Sequence, residues 1–287
     1  MRSTLLLLTM LACTCEGFGE VEVVDAATPF GPGACAAETR LNWSEKSPEQ
    51  STATTAMEGV EAVRFPADPG DLRGWMMRPT TTEPAPVMVY LHAGFAWHNG
   101  LAEAVRWLTE EGWFVFMPTV RGENGNPGVY QLLCGEVDDA AAAVRWISRQ
   151  PGVDPERVAV FGHGAGGALS AMLSLYPDLP VAHTGSAGGL YFEKLLRGWG
   201  PMVPYAAGDT TEMRRRLFVS HLADLHRPHH AYIGETDALK AVIEPAELRA
   251  SAVGAPLHIR RVPGDHRTSV APALRAYVEL LGWSATD

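Results

Sequence analysis

Long apolar runs, basic clusters and cysteines are all scarce in this 287-residue chain. The run from Leu5 to Leu11, close behind Arg2, is too short to cross a bilayer and has the length of a secretory h-region. Lysine and arginine total 23 against 33 acidic residues, for a net charge of -10, and the charges are dispersed. Neither nucleic acid nor an anionic membrane finds a counter-charge here. The four cysteines, Cys13, Cys15, Cys35 and Cys134, stand at spacings that match no metal pattern. No segment repeats, which excludes solenoids and propellers.

What is present at the N-terminus points to export. Leu11-Ala12-Cys13 resembles a bacterial lipobox, so residues 1–12 read as a signal peptide with Cys13 as the lipidated first residue of the mature chain. Cys15 offers a competing site, and ordinary signal peptidase would leave a periplasmic or secreted protein. An oxidising compartment permits a disulfide between any two of Cys15, Cys35 and Cys134. Any membrane association would run through that lipid alone. Residues 13–55, rich in Ala, Thr, Ser, Gly, Glu and Pro, read as a flexible tether.

From residue 56 to 285 the chain reads as one folded domain, and a hydrophobic content of 46% suffices for one sizeable core. Strands are expected at Gly59–Phe65, Leu72–Met77, Pro86–Leu91, Trp113–Met117, Val158–Phe161, Val181–Thr184, His230–Ile233 and Leu257–Val262. Helices are expected at Ala102–Glu111, Glu136–Gln150, Ala168–Leu175 and Val270–Leu281. This alternation predicts an α/β fold with a doubly wound, mostly parallel sheet. The stretch Leu190–Arg227 breaks the rhythm and reads as a short cap insertion over the site.

The chain is organised around Val158-Ala-Val-Phe-Gly-His-Gly-Ala-Gly-Gly167. A buried strand, a turn of small residues and a helix make the geometry of a nucleophile elbow, whose pattern is G-x-S-x-G. Gly162, Gly164 and Gly166 fill that frame, and the serine is missing. The same glycines also satisfy G-x-G-x-x-G, but the next strand ends in His183-Thr-Gly-Ser186 without the acidic residue that dinucleotide binding requires.

Several further stretches occur in a telling order: His92-Ala-Gly-Phe95, Arg121-Gly-Glu-Asn-Gly125, Gly135-Glu-Val-Asp-Asp139, Val153-Asp-Pro-Glu-Arg-Val158, Gly234-Glu-Thr-Asp237 and Pro263-Gly-Asp-His266. With the elbow, they make residues 86–281 resemble the propeller-less catalytic domain of the prolyl oligopeptidase and acylaminoacyl-peptidase family, within the α/β-hydrolase superfamily. The resemblance implies a serine peptidase or esterase scaffold. It places the triad acid at Asp237, the base at His266 and the nucleophile position at Gly164. It also places oxyanion donors at the amide of Ala165 and near Gly94 and Phe95. His92 stands where many of these peptidases carry a tyrosine, so a phenol donor is lost. Glycine has no oxygen to attack with, so the expectation is a pseudoenzyme that keeps a pocket for a small acyl or peptidic ligand. The alternative is an active hydrolase using another nucleophile or a water activated by His266. Ser186 is the first substitute to consider, then Cys134 and Ser170, while His163 reads as structural. Neither reading calls for a metal or organic cofactor, and no pattern specifies an oligomeric state.

Overall fold

The computed structural model describes residues 33–49, 56–189, 193–243 and 245–283. The proposed signal peptide, Cys13 and Cys15 lie outside the described residues. Among the described residues no helix is long and apolar enough to cross a membrane.

A short helix, α1 (Ala34–Glu38), precedes the sheet. Then come β1 (Glu61–Phe65), β2 (Leu72–Met77) and β3 (Ala85–Leu91), α2 (Asn99–Val105), α3 (Trp107–Glu110) and β4 (Phe114–Pro118). They are followed by α4 (Gly135–Ile147), β5 (Val153–His163), α5 (Ala165–Leu173) and β6 (His183–Ala187). The cap segment carries α6 (Glu193–Arg197) and α7 (Thr210–Arg216), with short 3-10 turns around them. β7 (His229–Gly234), α8 (Lys240–Ile243), α9 (Pro245–Ala252), β8 (Leu257–Val262) and α10 (Val270–Leu281) close the chain.

The eight strands form one sheet in the order β1-β2-β4-β3-β5-β6-β7-β8. β1, β2 and β4 pair antiparallel, and every other pairing is parallel. The expected α/β class, with its doubly wound and mostly parallel sheet, is what the chain adopts. β3 is buried at every position, and its period of two divides the core. Val87, Val89 and Leu91 face one layer with α4 and α5, while Met88 and Tyr90 face the other with α10. The outer strand β8 carries Arg260 and Arg261 exposed, which blunts it against edge-to-edge pairing.

Three expectations need correction. The single helix expected over Ala102–Glu111 is broken at Arg106 into α2 and α3. β6 begins at His183 rather than Val181 and continues to Ala187, so Ser186 lies inside a strand. Residues 33–49, expected within a flexible tether, instead form a strap packed across the domain. Cys35 is disulfide-bonded to Cys134 at the start of α4. The strap's Gly33 N–H donates to Asp138 at 2.8 Å, and Thr39 Oγ1 donates to Glu212 of the cap at 2.7 Å. Asn42 N–H reaches the carbonyl of Pro204 at 2.7 Å, and Trp43 stacks on Tyr130 at 5.9 Å between ring centroids. Arg216, fully buried, bonds Glu212, Thr39 and the carbonyl of Gln131, and so ties cap, strap and the loop before α4 together.

Candidate active site

The β5-to-α5 turn has the predicted elbow form, and its three glycines are there for different reasons. A Cβ on Gly162 would overlap the Gly166 carbonyl, and one on Gly166 would overlap the Leu91 carbonyl. Strand, helix and β3 pack too closely at those two points for any side chain. Gly164 sits at φ 54 and ψ -116, between the strand and the first turn of α5. A Cβ there would meet Ala93 Cβ at 3.5 Å and His266 Nε2 at 3.6 Å, both ordinary contacts. The position has room for a side chain, and that side chain would point at an imidazole.

His266 reaches this point from the loop between β8 and α10. Its Nδ1 lies 3.0 Å from Asp237 Oδ2, while its side chain remains 37% exposed, open to the cleft. Asp237, buried just after β7, accepts the Leu239 N–H at 2.8 Å through its other oxygen. Its two oxygens are thereby committed, one to backbone and one to the imidazole, which fixes the ring with Nδ1 as donor and Nε2 facing Gly164. In a working hydrolase that tautomer is the one that takes a proton from the nucleophile.

Gly188 and His163 hold His266 in place. A Cβ on Gly188 would stand 2.6 Å from His266 Nδ1, so the bare backbone after β6, at φ +56, makes the slot for the ring. His163 Nε2 lies 2.9 Å from the His266 carbonyl. Burial, with a further contribution from His266, lowers the pKa of His163 to about 4. Neutral at pH 7, it donates its proton to that carbonyl and adds no charge to the site, the structural part expected for it. Gly188 carried a signal, since it closes the Gly185-to-Gly188 stretch ahead of the cap, but only its distance to the ring gives it meaning.

The oxyanion side is formed by Ala165 and by the loop after β3. Ala165 is the first residue of α5, so its N–H has no intrahelical acceptor and sits at the positive end of the helix. The Phe95 N–H is already engaged: it donates to the Glu49 carboxylate at 3.1 Å. His92 is buried, with Nε2 3.3 Å from Glu123 and Nδ1 3.1 Å from the Ala93 carbonyl. Burial opposes its charge, but Glu123 and the Ala93 carbonyl outweigh it and hold the imidazole above the ordinary histidine range. A small, mostly apolar cavity adjoins the oxyanion loop, lined in part by Phe95, Tyr130, Leu132, Leu133, Ala165 and Leu169.

The substitutes for the missing serine are placed elsewhere. Ser186 is fully buried in β6 and bonds His229 Nε2 at 3.0 Å, because the strand runs past it. Cys134 has no thiol to offer, being half of the disulfide with Cys35. Ser170 is buried inside α5 and donates to the Gly185 carbonyl at 2.8 Å.

The fold agrees with known proteins. The sequence profile of the X-Pro dipeptidyl-peptidase (S15) family matches residues 70–187. Superposition on the Pyrococcus horikoshii acylaminoacyl peptidase gives a TM-score of 0.61 at 17% identity, covering 77% of this chain and 40% of that one. The Thermogutta terrifontis esterase Est2 superposes with a TM-score of 0.61 at 17% identity, over 79% of this chain and 96% of that one. This is an α/β-hydrolase fold. The chain is similar in sequence to Rv2307c of Mycobacterium tuberculosis, 27% identical over 233 residues, which is 76% of this chain and 75% of that protein. It spans about two-fifths of the length of the peptidases it superposes on, and it resembles peptidases and esterases. The α/β-hydrolase fold leaves the dinucleotide reading of the glycines without support.

Proposed function

We propose that this α/β-hydrolase is an exported, serine-hydrolase-like pseudoenzyme of the prolyl oligopeptidase type, lipid-anchored through Cys13, that binds a small acyl or peptidic ligand without turning it over. The observation that carries the reading is the contrast among the elbow glycines. Gly162 and Gly166 have no space for a side chain, whereas Gly164 has space for one aimed at His266 Nε2 at 3.6 Å. The hydrogen-bonded Asp237–His266 pair supports it, as does the cavity beside Ala165 and Phe95. The structural neighbour Est2 was determined with propionate bound, which favours a short acyl group as the ligand's recognised part.

A second reading has one observation behind it. His266 Nε2 is open to the cleft and could deprotonate a water for slow direct hydrolysis, with no covalent intermediate.

Hydrolysis of p-nitrophenyl acetate by the natural chain, Gly164→Ser and His266→Ala separates them. Loss of the serine costs a working triad about 10⁶ in kcat, so Gly164→Ser should raise turnover by at least about 10³ over a natural chain that stays at background. Turnover by the natural chain that His266→Ala abolishes would show the water-activating enzyme instead.

A further inference from the structure

The strap does not end at the cap. Beyond Trp43 it runs towards the oxyanion loop and is bonded along its length. Tyr130 N–H donates to the Glu45 carbonyl at 2.9 Å, and Lys46 Nζ donates to the carbonyls of Asn126 and Gly128 at 2.9 and 2.8 Å. Ser47 N–H reaches the Gly122 carbonyl at 3.2 Å, and its hydroxyl donates to the Phe95 carbonyl at 2.6 Å. Glu49 then takes the Phe95 N–H at 3.1 Å. Both polar groups of the Phe95 backbone are thus held by the strap. Glu49 Oε2 also lies 3.0 Å from where a Cβ on Gly94 would stand, so any larger residue at 94 would crowd the carboxylate.

We propose that Glu49 is a built-in occupant of the oxyanion-loop amide of Phe95, a tethered carboxylate that an external acyl or carboxylate ligand must displace. The proposal rests on reading Gly94–Phe95 as the oxyanion loop and goes beyond the assignment of a ligand pocket, because it says what fills the anion-binding corner when no ligand is present. Three features support it. The group is of the right chemistry: a carboxylate has the charge and the acceptor oxygens of the species such donors hold. The tether is anchored on both walls of the cleft, at Cys134 beside α4 and at Glu212 in the cap, so Glu49 is presented at a high effective concentration. A fixed negative charge on this donor also opposes a second one arriving or developing there, so the arrangement with Glu49 in place disfavours both an external anion and the oxyanion of hydrolysis.

Propionate is the probe, titrated into the purified full chain while the amide resonances of Phe95 and Ala165 are followed. A short tether supplies an effective concentration in the millimolar range, so Glu49→Ala should bind propionate with a Kd lower by at least about tenfold than the natural chain. Glu49→Gln, which keeps the length and loses the charge, should fall between, as should the pair Cys35→Ala with Cys134→Ala, which loosens the anchor. A carboxylate that merely braces the Phe95 peptide gives the opposite order: Glu49→Ala would bind no more tightly, or more weakly, and the proposal is overturned. It is equally overturned if no variant binds propionate. Gly164→Ser turnover is read separately. Activity there with no effect of Glu49→Ala sinks this proposal alone, whereas tighter propionate binding without Gly164→Ser activity sinks only the hydrolase ancestry of the site.

Discussion

Position 164 sets one backbone atom's worth of chemistry against local strain. With φ at 54 and ψ at -116, it lies in a region that L residues seldom enter, at a cost of about 1–3 kcal/mol for any residue but glycine. Gly164→Ser should therefore lose stability by about that amount even as it gains turnover, a trade visible in a chemical denaturation curve. Gly188 tests the other side of the imidazole. A methyl group there meets His266 Nδ1 at 2.6 Å and Asp237 Oδ2 at 3.3 Å, so Gly188→Ala has to push the ring off its acid. Introduced into Gly164→Ser, it should lower kcat by about 10², the penalty for a misplacement near 1 Å. An unchanged kcat would mean that the ring is not held where the structure puts it.

The strap is the element whose role depends most on its anchor. The Cys35–Cys134 bridge spans 99 residues of sequence, a loop for which the chain-entropy account gives about 4.7 kcal/mol of stabilisation at most. The double alanine variant should unfold at lower temperature and expose residues 42–49 to protease first, since the hydrolase sheet does not depend on them for its own ladder. The same element marks how far the sequence could be read. The elbow strand and helix, β3 and α10 were legible because a short buried apolar run, or a sustained 3.6 period, leaves few alternatives. Asp237 and His266 were legible only as members of an ordered set of motifs, and the structure does bring them within 3.0 Å of each other. The strap was not legible. Its composition is that of a linker, and its order comes from long-range partners: a disulfide, a buried Arg216 and the backbone of residues 122–130. No local pattern encodes those. Ser186 was misjudged for a related reason, because sheet pairing continues through it to Ala187 and its hydroxyl bonds His229.

At the scale of the whole molecule, acid should be the weak direction. Burial lowers the pKa of His163 to about 4, of His229 to about 3 and of His230 to about 4. Each has a folded value below the unfolded one near 6.5. Between about pH 6.5 and 4 the unfolded chain therefore binds protons that the folded chain refuses, and stability falls as pH falls. His92 has the opposite sign. Its raised value contributes stability that is whole below the unfolded pKa and is lost as pH rises through the folded one. Burial lowers His183 and His221 as well, and the five depressed histidines outnumber His92, so Tm measured from pH 7 down to 4.5 should drop steadily. His230→Phe removes one of these titrations without touching the candidate site and should flatten the slope. An equal slope in that variant would assign the acid sensitivity elsewhere.

The unequal room around the elbow glycines has a consequence for the gene as well as for the protein. A glycine codon of the GGT or GGC type becomes a serine codon by a change of its first base. Replacement at Gly162 or Gly166 meets backbone and is purged as a folding defect, but the same change at Gly164 meets only ordinary contacts, one of them a waiting imidazole. Where the codon at 164 is of that type, the proposed pseudoenzyme stands one base change from a serine at its elbow, and a glycine that persists there would mean that hydrolysis is selected against rather than merely unused.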